Sequence, residues 1–203
     1  YWVGAPFILG LLFGILCVPV ALLYRTAPRA TPRVMSALLA IGAASLILLY
    51  LRSPLRDVWA LRTAPPDEIA IALSDTRAEV RHAAAQRAYQ ALRKRAWTSP
   101  PALSRALTAA IADSDMRVRL WAAPAAGLTR DEQARATLLA ALEDPELLVR
   151  YRAAEGLGWL DAGKRSTAHR ETTRQLEQMA RTASWYEAAY ALEALRRIDP
   201  EKW

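Results

Sequence analysis

The chain has 203 residues, 53% hydrophobic and 23% charged, with 27 Lys and Arg against 20 Asp and Glu. A net charge of +7 is modest for one or two domains, and so high an apolar content excludes a disordered polyelectrolyte. The single cysteine, Cys17, excludes a disulfide framework and a Cys-rich zinc site.

All 20 acids lie at Asp57 or later, and residues 1–51 carry only Arg25, Arg29 and Arg33. Tyr1 to Tyr24 is uncharged, as is Val34 to Leu51. At roughly 1.5 Å per residue, the second run makes a helix about 27 Å long, close to the thickness of a bilayer's hydrocarbon core. Tyr24 and Arg25, then Arg33, then Tyr50 and Arg52 bound the runs with side chains suited to the interface. Two transmembrane helices, over about 4–24 and 34–51, are expected. The short linker with Pro28 and Pro32 folds them into a hairpin covering 1–52. A signal peptide fits less well, since a basic n-region is lacking and a second run follows at once. Buried helices of a soluble domain would show a polar face, and neither run has one.

Within the spans, Gly10 and Gly14 form one row of small residues, and Ser36, Ala40 and Ala44 form another. Such rows let helices approach closely in lipid, so these five are candidates for helix packing. The three-Arg linker favours the cytoplasm, although Arg52, Arg56 and Arg62 pull the other way. The expectation is a multi-pass protein of the bacterial inner membrane with its C-terminal domain in the periplasm.

Residues 53–64 read as a linker and 65–203 as a second domain. Periodicity and turn signals predict helices over Asp67–Ser74, Thr76–Trp97, Pro100–Ala112, Asp115–Leu128, Arg130–Leu142, Pro145–Leu160, Arg165–Thr182 and Trp185–Ile198. A kink is expected at Pro124. Ser99, Thr129 with Glu132, and Ser184 with Glu187 are the expected caps.

An internal repeat runs through this half. Asp75, Val80, Arg81 and Ala84-Ala85 recur as Asp113, Val118, Arg119 and Ala122-Ala123, then as Asp144, Val149, Arg150 and Ala153-Ala154. In each copy the Asp precedes the Val by five, the Arg follows it directly, and the Ala pair comes four and five later. The pattern describes a helical hairpin: Asp turns the chain and caps the second helix, Val anchors it, and the Ala pair allows close packing. The Arg is expected to face the Asp of its own or the next repeat, making a ladder of Asp75, Arg81, Asp113, Arg119, Asp144 and Arg150. No hairpin can bury its apolar face alone, so the units stack.

The Asp-x4-Val-Arg-x2-Ala-Ala pattern resembles HEAT repeats, particularly the short bacterial kind grouped with phycobilisome-lyase-like proteins. The resemblance covers about Pro65 to Ile198 and implies an all-α superhelical solenoid of about four helix pairs after the membrane hairpin. The fourth unit departs from the pattern, with Ser184 in place of Val and Trp185 in place of Arg, as in a terminal cap.

No reactive constellation stands out. His82 and His169 lie in different repeats, and phosphate-binding loops, haem-attachment motifs and nucleophile elbows are absent from the sequence. The chain is expected to be no enzyme and to take no cofactor, metal or small-molecule substrate. Nucleic acid is not an expected partner, because clusters such as Arg93-Lys94-Arg95 are short and the aromatics do not interleave with them. Among Trp97, Trp121, Trp159, Trp185, Tyr186, Tyr190 and Trp203, most are expected to pack between repeats. Trp185, Tyr186 and Trp203 are the candidate partner surface. Repeats of this kind present long surfaces to other proteins. The expected function is a non-catalytic accessory or scaffold subunit of an integral-membrane complex, of respiratory or photosynthetic type. Its partners would be the lipid bilayer and the other subunits. The alternatives are a membrane-tethered adaptor for a soluble protein and a lyase-like pigment-attachment factor.

Overall fold

The computed structural model describes residues 40–45, 47–49, 54–162, 167–182 and 184–202. The first expected span, with Gly10 and Gly14, lies outside the described residues, as do Ser36 and Trp203. Of the second span, residues 40–45 and 47–49 are helical, with Ala40 and Ala44 exposed. Among the described residues no helix is long and apolar enough to cross a membrane. The chain divides into two compact units, Tyr1–Arg56 and Asp57–Trp203.

All regular structure among the described residues is helical. Helix α1 (Pro54–Ala60) is followed by four pairs: α2 (Pro66–Ala72) with α3 (Ala78–Arg93), α4 (Pro101–Ala110) with α5 (Met116–Thr129), α6 (Arg135–Ala140) with α7 (Leu147–Asp161), and α8 (Thr167–Thr182) with α9 (Trp185–Ile198). The second helices α3, α5, α7 and α9 pack side by side in chain order, each backed by the first helix of its pair. This is a helical solenoid of stacked hairpins.

The repeat pattern explains the packing. Val118 and Val149 are fully buried and Val80 nearly so, and both alanines of each pair are fully buried. Leu103, Leu107, Leu138, Leu157, Leu160, Leu176 and Leu195 fill the space between the two helix layers. Side chains without bulk let α5 and α7 touch through their backbones. A Cβ on Gly127 would stand 2.0 Å from the Gly156 carbonyl oxygen, and one on Gly156 would stand 2.6 Å from that of Ala123.

Four local features differ from the sequence reading. The 53–64 segment contains α1, and Leu61 and Ala64 are buried in the solenoid core, so the compact unit starts at Asp57. The segment expected as one helix over Arg130–Leu142 is a short α6 between two 3-10 turns, Glu132–Ala134 and Ala141–Glu143. α5 runs through Pro124 unbroken to Thr129 and ends on Arg130 in a left-handed conformation, φ 59°, whose N–H bonds the Gly127 carbonyl. Caps also shift. The N-cap residues are Arg77, Asp115 and Glu146, and each repeat Asp sits two positions earlier, its carboxylate accepting the N-cap residue's own N–H at 2.8–2.9 Å. The Asp thus shapes the turn that enters the helix, as an Asx turn, instead of capping the first helical turn. Likewise Asp131, and not Thr129, accepts from the Gln133 N–H ahead of α6.

Gly156→Ala is expected to lower stability by about 1–3 kcal/mol, because a methyl group must force apart two backbones in contact. Urea unfolding followed by circular dichroism checks this, and Gly158→Ala, whose Cβ meets Ala194 at 3.0 Å or more, should cost less.

Candidate interaction surfaces

The ladder residues come together, with a polarity the sequence left open. Arg81 reaches forward to the next repeat, its Nε donating to Asp113 Oδ2 at 2.7 Å and Nη2 to Oδ1 at 2.9 Å. Arg119 grips Asp144 in the same way, at 2.8 and 3.0 Å. The remaining guanidinium nitrogen turns back to its own repeat: Arg81 Nη1 donates to the Asp75 and Thr76 carbonyls, Arg119 Nη1 to those of Asp113 and Ser114. Both pairs are largely shielded, with 9–14% of each side chain exposed. Burial pushes the Asp113 and Asp144 carboxyls up, but the arginine hydrogen bonds and the backbone N–H donors outweigh it and hold both below the usual carboxylate value.

The two ends of the ladder are different. Arg150 keeps its backward bonds to the Asp144 and Pro145 carbonyls but reaches forward to Glu187 at 2.8 Å, since the fourth unit has no Asp at that place. Glu187 also accepts from the Ser184 N–H and hydroxyl. At the start, Asp75 is held by Arg77, which also grips Asp57 of α1 at 2.7 Å. Hydrogen bonds from the Arg77 side chain and backbone pull the Asp75 carboxyl down to about 2.

A second network, unforeseen in the sequence, runs across the second helices. Tyr89 of α3 donates its hydroxyl to Glu155 of α7 at 3.0 Å, bridging past α5. Arg152 bonds Glu155 at 2.7 Å and lies over the Tyr89 and Trp121 rings, 5.2 and 4.8 Å from their centroids. Trp159 Nε1 donates to Glu155 at 3.4 Å, and Arg197 of α9 covers the Trp159 ring at 4.3 Å. Burial raises the Glu155 carboxyl, yet Arg152 and the Tyr89 and Trp159 donors bring it below its ordinary value. Burial, with Glu155 alongside, raises the Tyr89 phenol. Spacing along one helix gives no sign of such a network, because its members sit at different offsets in each repeat.

A third cluster ties the third and fourth pairs. Asp161, fully buried, accepts two bonds from Arg135, which also donates to Thr172 at 2.6 Å and bonds Glu132. His169 Nδ1 stands 3.9 Å from Asp161. His82 is far away on α3, where burial and then the Arg117 charge lower its pKa. Among the described residues no group of three His, Cys, Asp or Glu is placed to hold a metal. Between α6 and α8 a groove of about 600 Å³ opens, floored by Leu139, Leu142 and Met179 and rimmed by Arg150, Arg174 and Glu187. On its rim Arg150 pairs with Glu187 and Arg174 with Glu171.

Of the candidate partner residues, Trp185 is 71% exposed at the start of α9. The Tyr186 side chain and Trp203 lie outside the described residues. Tyr190, also exposed, stacks on buried Tyr151 with ring centroids 4.5 Å apart.

The family model for HEAT repeats matches residues 103–196. No curated protein matches the chain. Among solved structures, the chain is similar to one described as the complex of CpcE and CpcF of phycocyanin lyase from Nostoc sp. PCC7120. The identity is 19%, the match covers 69% of this chain and 67% of that one, and the TM-score is 0.47.

Arg119→Ala is expected to cost about 1–3 kcal/mol in unfolding free energy, and Arg119→Lys nearly as much, since an ammonium cannot bond the Asp144 carboxylate and two carbonyls in one plane. Retention of full stability by the lysine variant would show that charge alone suffices. The Asp75 and Asp115 carboxyls, held at about 2 by hydrogen bonds from Arg77 and Arg117, titrate lower in the folded than in the unfolded chain. Their contribution is complete above the ordinary value of 3.8 and is lost as pH falls towards about 2, and the lowered Asp113 and Asp144 act in the same direction. A thermal melting profile against pH should therefore decline over that window.

Proposed function

We propose that this chain is a non-catalytic accessory subunit of an integral-membrane complex in a bacterial inner membrane. Its two uncharged N-terminal runs would pack in the bilayer and its HEAT-type solenoid would brace an extramembrane, periplasmic partner. The observation that carries the binding role is the solenoid itself. Its ladder arginines and their acids are engaged in structural hydrogen bonds, while aromatic and apolar groups such as Trp185, Tyr190 and Leu192 are exposed. Exposed Trp and Tyr beside Arg are the side chains that dominate protein interfaces. The membrane role rests on the length of the uncharged runs at 1–24 and 34–51.

A membrane-tethered adaptor and a pigment-attachment factor compete with this reading, and one preparation separates them. Native membranes are washed with carbonate, solubilised in mild detergent and passed over a sizing column. The subunit reading expects the chain to stay with the membrane and to elute with a stoichiometric partner. Release by carbonate removes the membrane role, and elution without a partner leaves the adaptor. A covalently attached absorbing tetrapyrrole, formed when the purified chain is supplied with one, replaces both with the attachment factor.

A further inference from the structure

Between Glu79 and Asp113 the chain carries six Lys and Arg and no acid. Arg81 pairs with Asp113. Among the described residues, no carboxylate pairs with the other five, Arg87, Arg93, Lys94, Arg95 and Arg105. Arg87 lies over the Trp97 ring at 4.8 Å, its Nε buried without a hydrogen bond. Arg93 donates to the Tyr89 hydroxyl. Lys94, Arg95 and Arg105 are exposed, and so is Arg130, which has no carboxylate partner either among the described residues.

These cations share the edge of the solenoid opposite the ladder, where α3 and α5 end and α4 begins. The repeat that matches Val118 to Val80 matches Arg130 to Leu92, so Arg130 ends α5 beside the end of α3. No acid stands in the first turn of α4. The acids after Arg130 are engaged, Asp131 with the Gln133 N–H and Glu132 with Arg135.

Helix dipoles do not account for the cluster. One cation in the last turn serves that purpose, and Arg93 supplies it for α3. Arg95 and Arg130 carry a further signal. Among the described residues they alone, apart from glycine, have positive φ, at 54° and 59°. Arg95 closes α3 where glycine is usual, with the Ala96 N–H on the Ala91 carbonyl and its own N–H on that of Leu92. A Cβ at such a position is strained, and glycine would relieve it. Both helices nevertheless end on an exposed guanidinium.

We propose that this edge receives an acidic segment of a partner protein, with Lys94, Arg95, Arg105 and Arg130 facing its carboxylates. The assignment rests on the binding role proposed above and gives the partner a charge. Exposed cations in an acid-free region hold a positive potential that attracts carboxylates and turns away basic surfaces. Nucleic acid fits less well. Single strands stack on open aromatic rings, whereas Trp97 is covered by Arg87 and Tyr89 is buried. A bilayer also fits less well. The chain enters the compact unit at Asp57, which Arg77 holds at the other end of α3. That helix has 16 residues, a length of roughly 24 Å.

The test uses the full chain in neutral detergent at low salt, with a fluorescent decaglutamate peptide read by anisotropy. Lys94→Glu with Arg95→Glu is expected to weaken binding at least about tenfold. Arg170→Glu, on an exposed and unpaired arginine of α8, should leave it unchanged. Arg95→Gly with Arg130→Gly is the sharper variant. It should weaken binding at least about threefold while melting no lower than the wild type. Wild-type affinity in both double variants overturns the proposal. So does tighter binding of a decathymidine oligonucleotide, or of mixed micelles containing phosphatidylglycerol, than of the peptide. In the native-membrane preparation, loss of the co-eluting partner from the Lys94→Glu, Arg95→Glu chain supports it. A partner that stays with that chain overturns it and leaves the subunit reading intact. If the wild-type chain elutes alone, the subunit reading fails and the peptide measurement decides this one.

Discussion

The arginine that follows each anchoring valine is the constraint on which the solenoid depends. Its guanidinium offers donors in one plane, directed two ways. Two go to the carboxylate of the next repeat, and one goes to the carbonyls of its own turn. One side chain thereby fixes the turn that enters its helix and the register of the helix to follow. The acceptor is fixed in the same manner, since Asp113 and Asp144 each take a backbone N–H from two residues on. Shielding such pairs is costly, and their net gain in stability is smaller than their gain in register. The buried alanine pairs and leucines supply the cohesion, and the ladder selects one stacking among the several that smooth, alanine-rich helices would allow.

The Tyr89–Glu155–Arg152 network acts over a longer range. A ladder rung joins neighbouring repeats, whereas Tyr89 joins the first repeat to the third. A change in curvature would have to break that bond or move Arg152 off two aromatic rings. This arrangement closes the middle of the second-helix face with its own polar groups, and little of Tyr89 is left in contact with solvent. A partner is better served by the ends and edges of the stack, where apolar side chains are exposed.

Much of the stacking was legible because it is written as a period. Asp, Val, Arg and the Ala pair return at constant offsets, and each has a single job that its chemistry dictates. What escaped the sequence is what breaks the period. Glu187 replaces an Asp at a different offset, so the last rung could not be read by superposition. The Arg135–Asp161–Thr172 cluster joins residues of three helices with no repeated spacing. Helix α1 carries too little apolar pattern to announce itself, yet Asp57 pairs with Arg77, and Leu61 just beyond it is buried. Local rules also misplaced the caps. An Asp before a helix is as good an acceptor for the N–H two residues on as for one inside the first turn, and only the backbone path decides.

The two ends of the stack are therefore unequal, and the inequality has one physical origin. A ladder whose arginines all point forward leaves an acid unmatched at its start and a guanidinium in need of an acid at its finish. The start is neutralised within the chain, through Arg77 and its second bond to Asp57. At the finish Glu187 receives Arg150, and Ala188 stands on α9 where the ladder arginine would stand, so no unpaired charge has to be accommodated there. An alanine in place of the arginine removes the one interaction that would extend the array. With Trp185, Tyr190 and Leu192 exposed on α9, the C-terminal end offers a partner more apolar surface than the self-satisfied middle does.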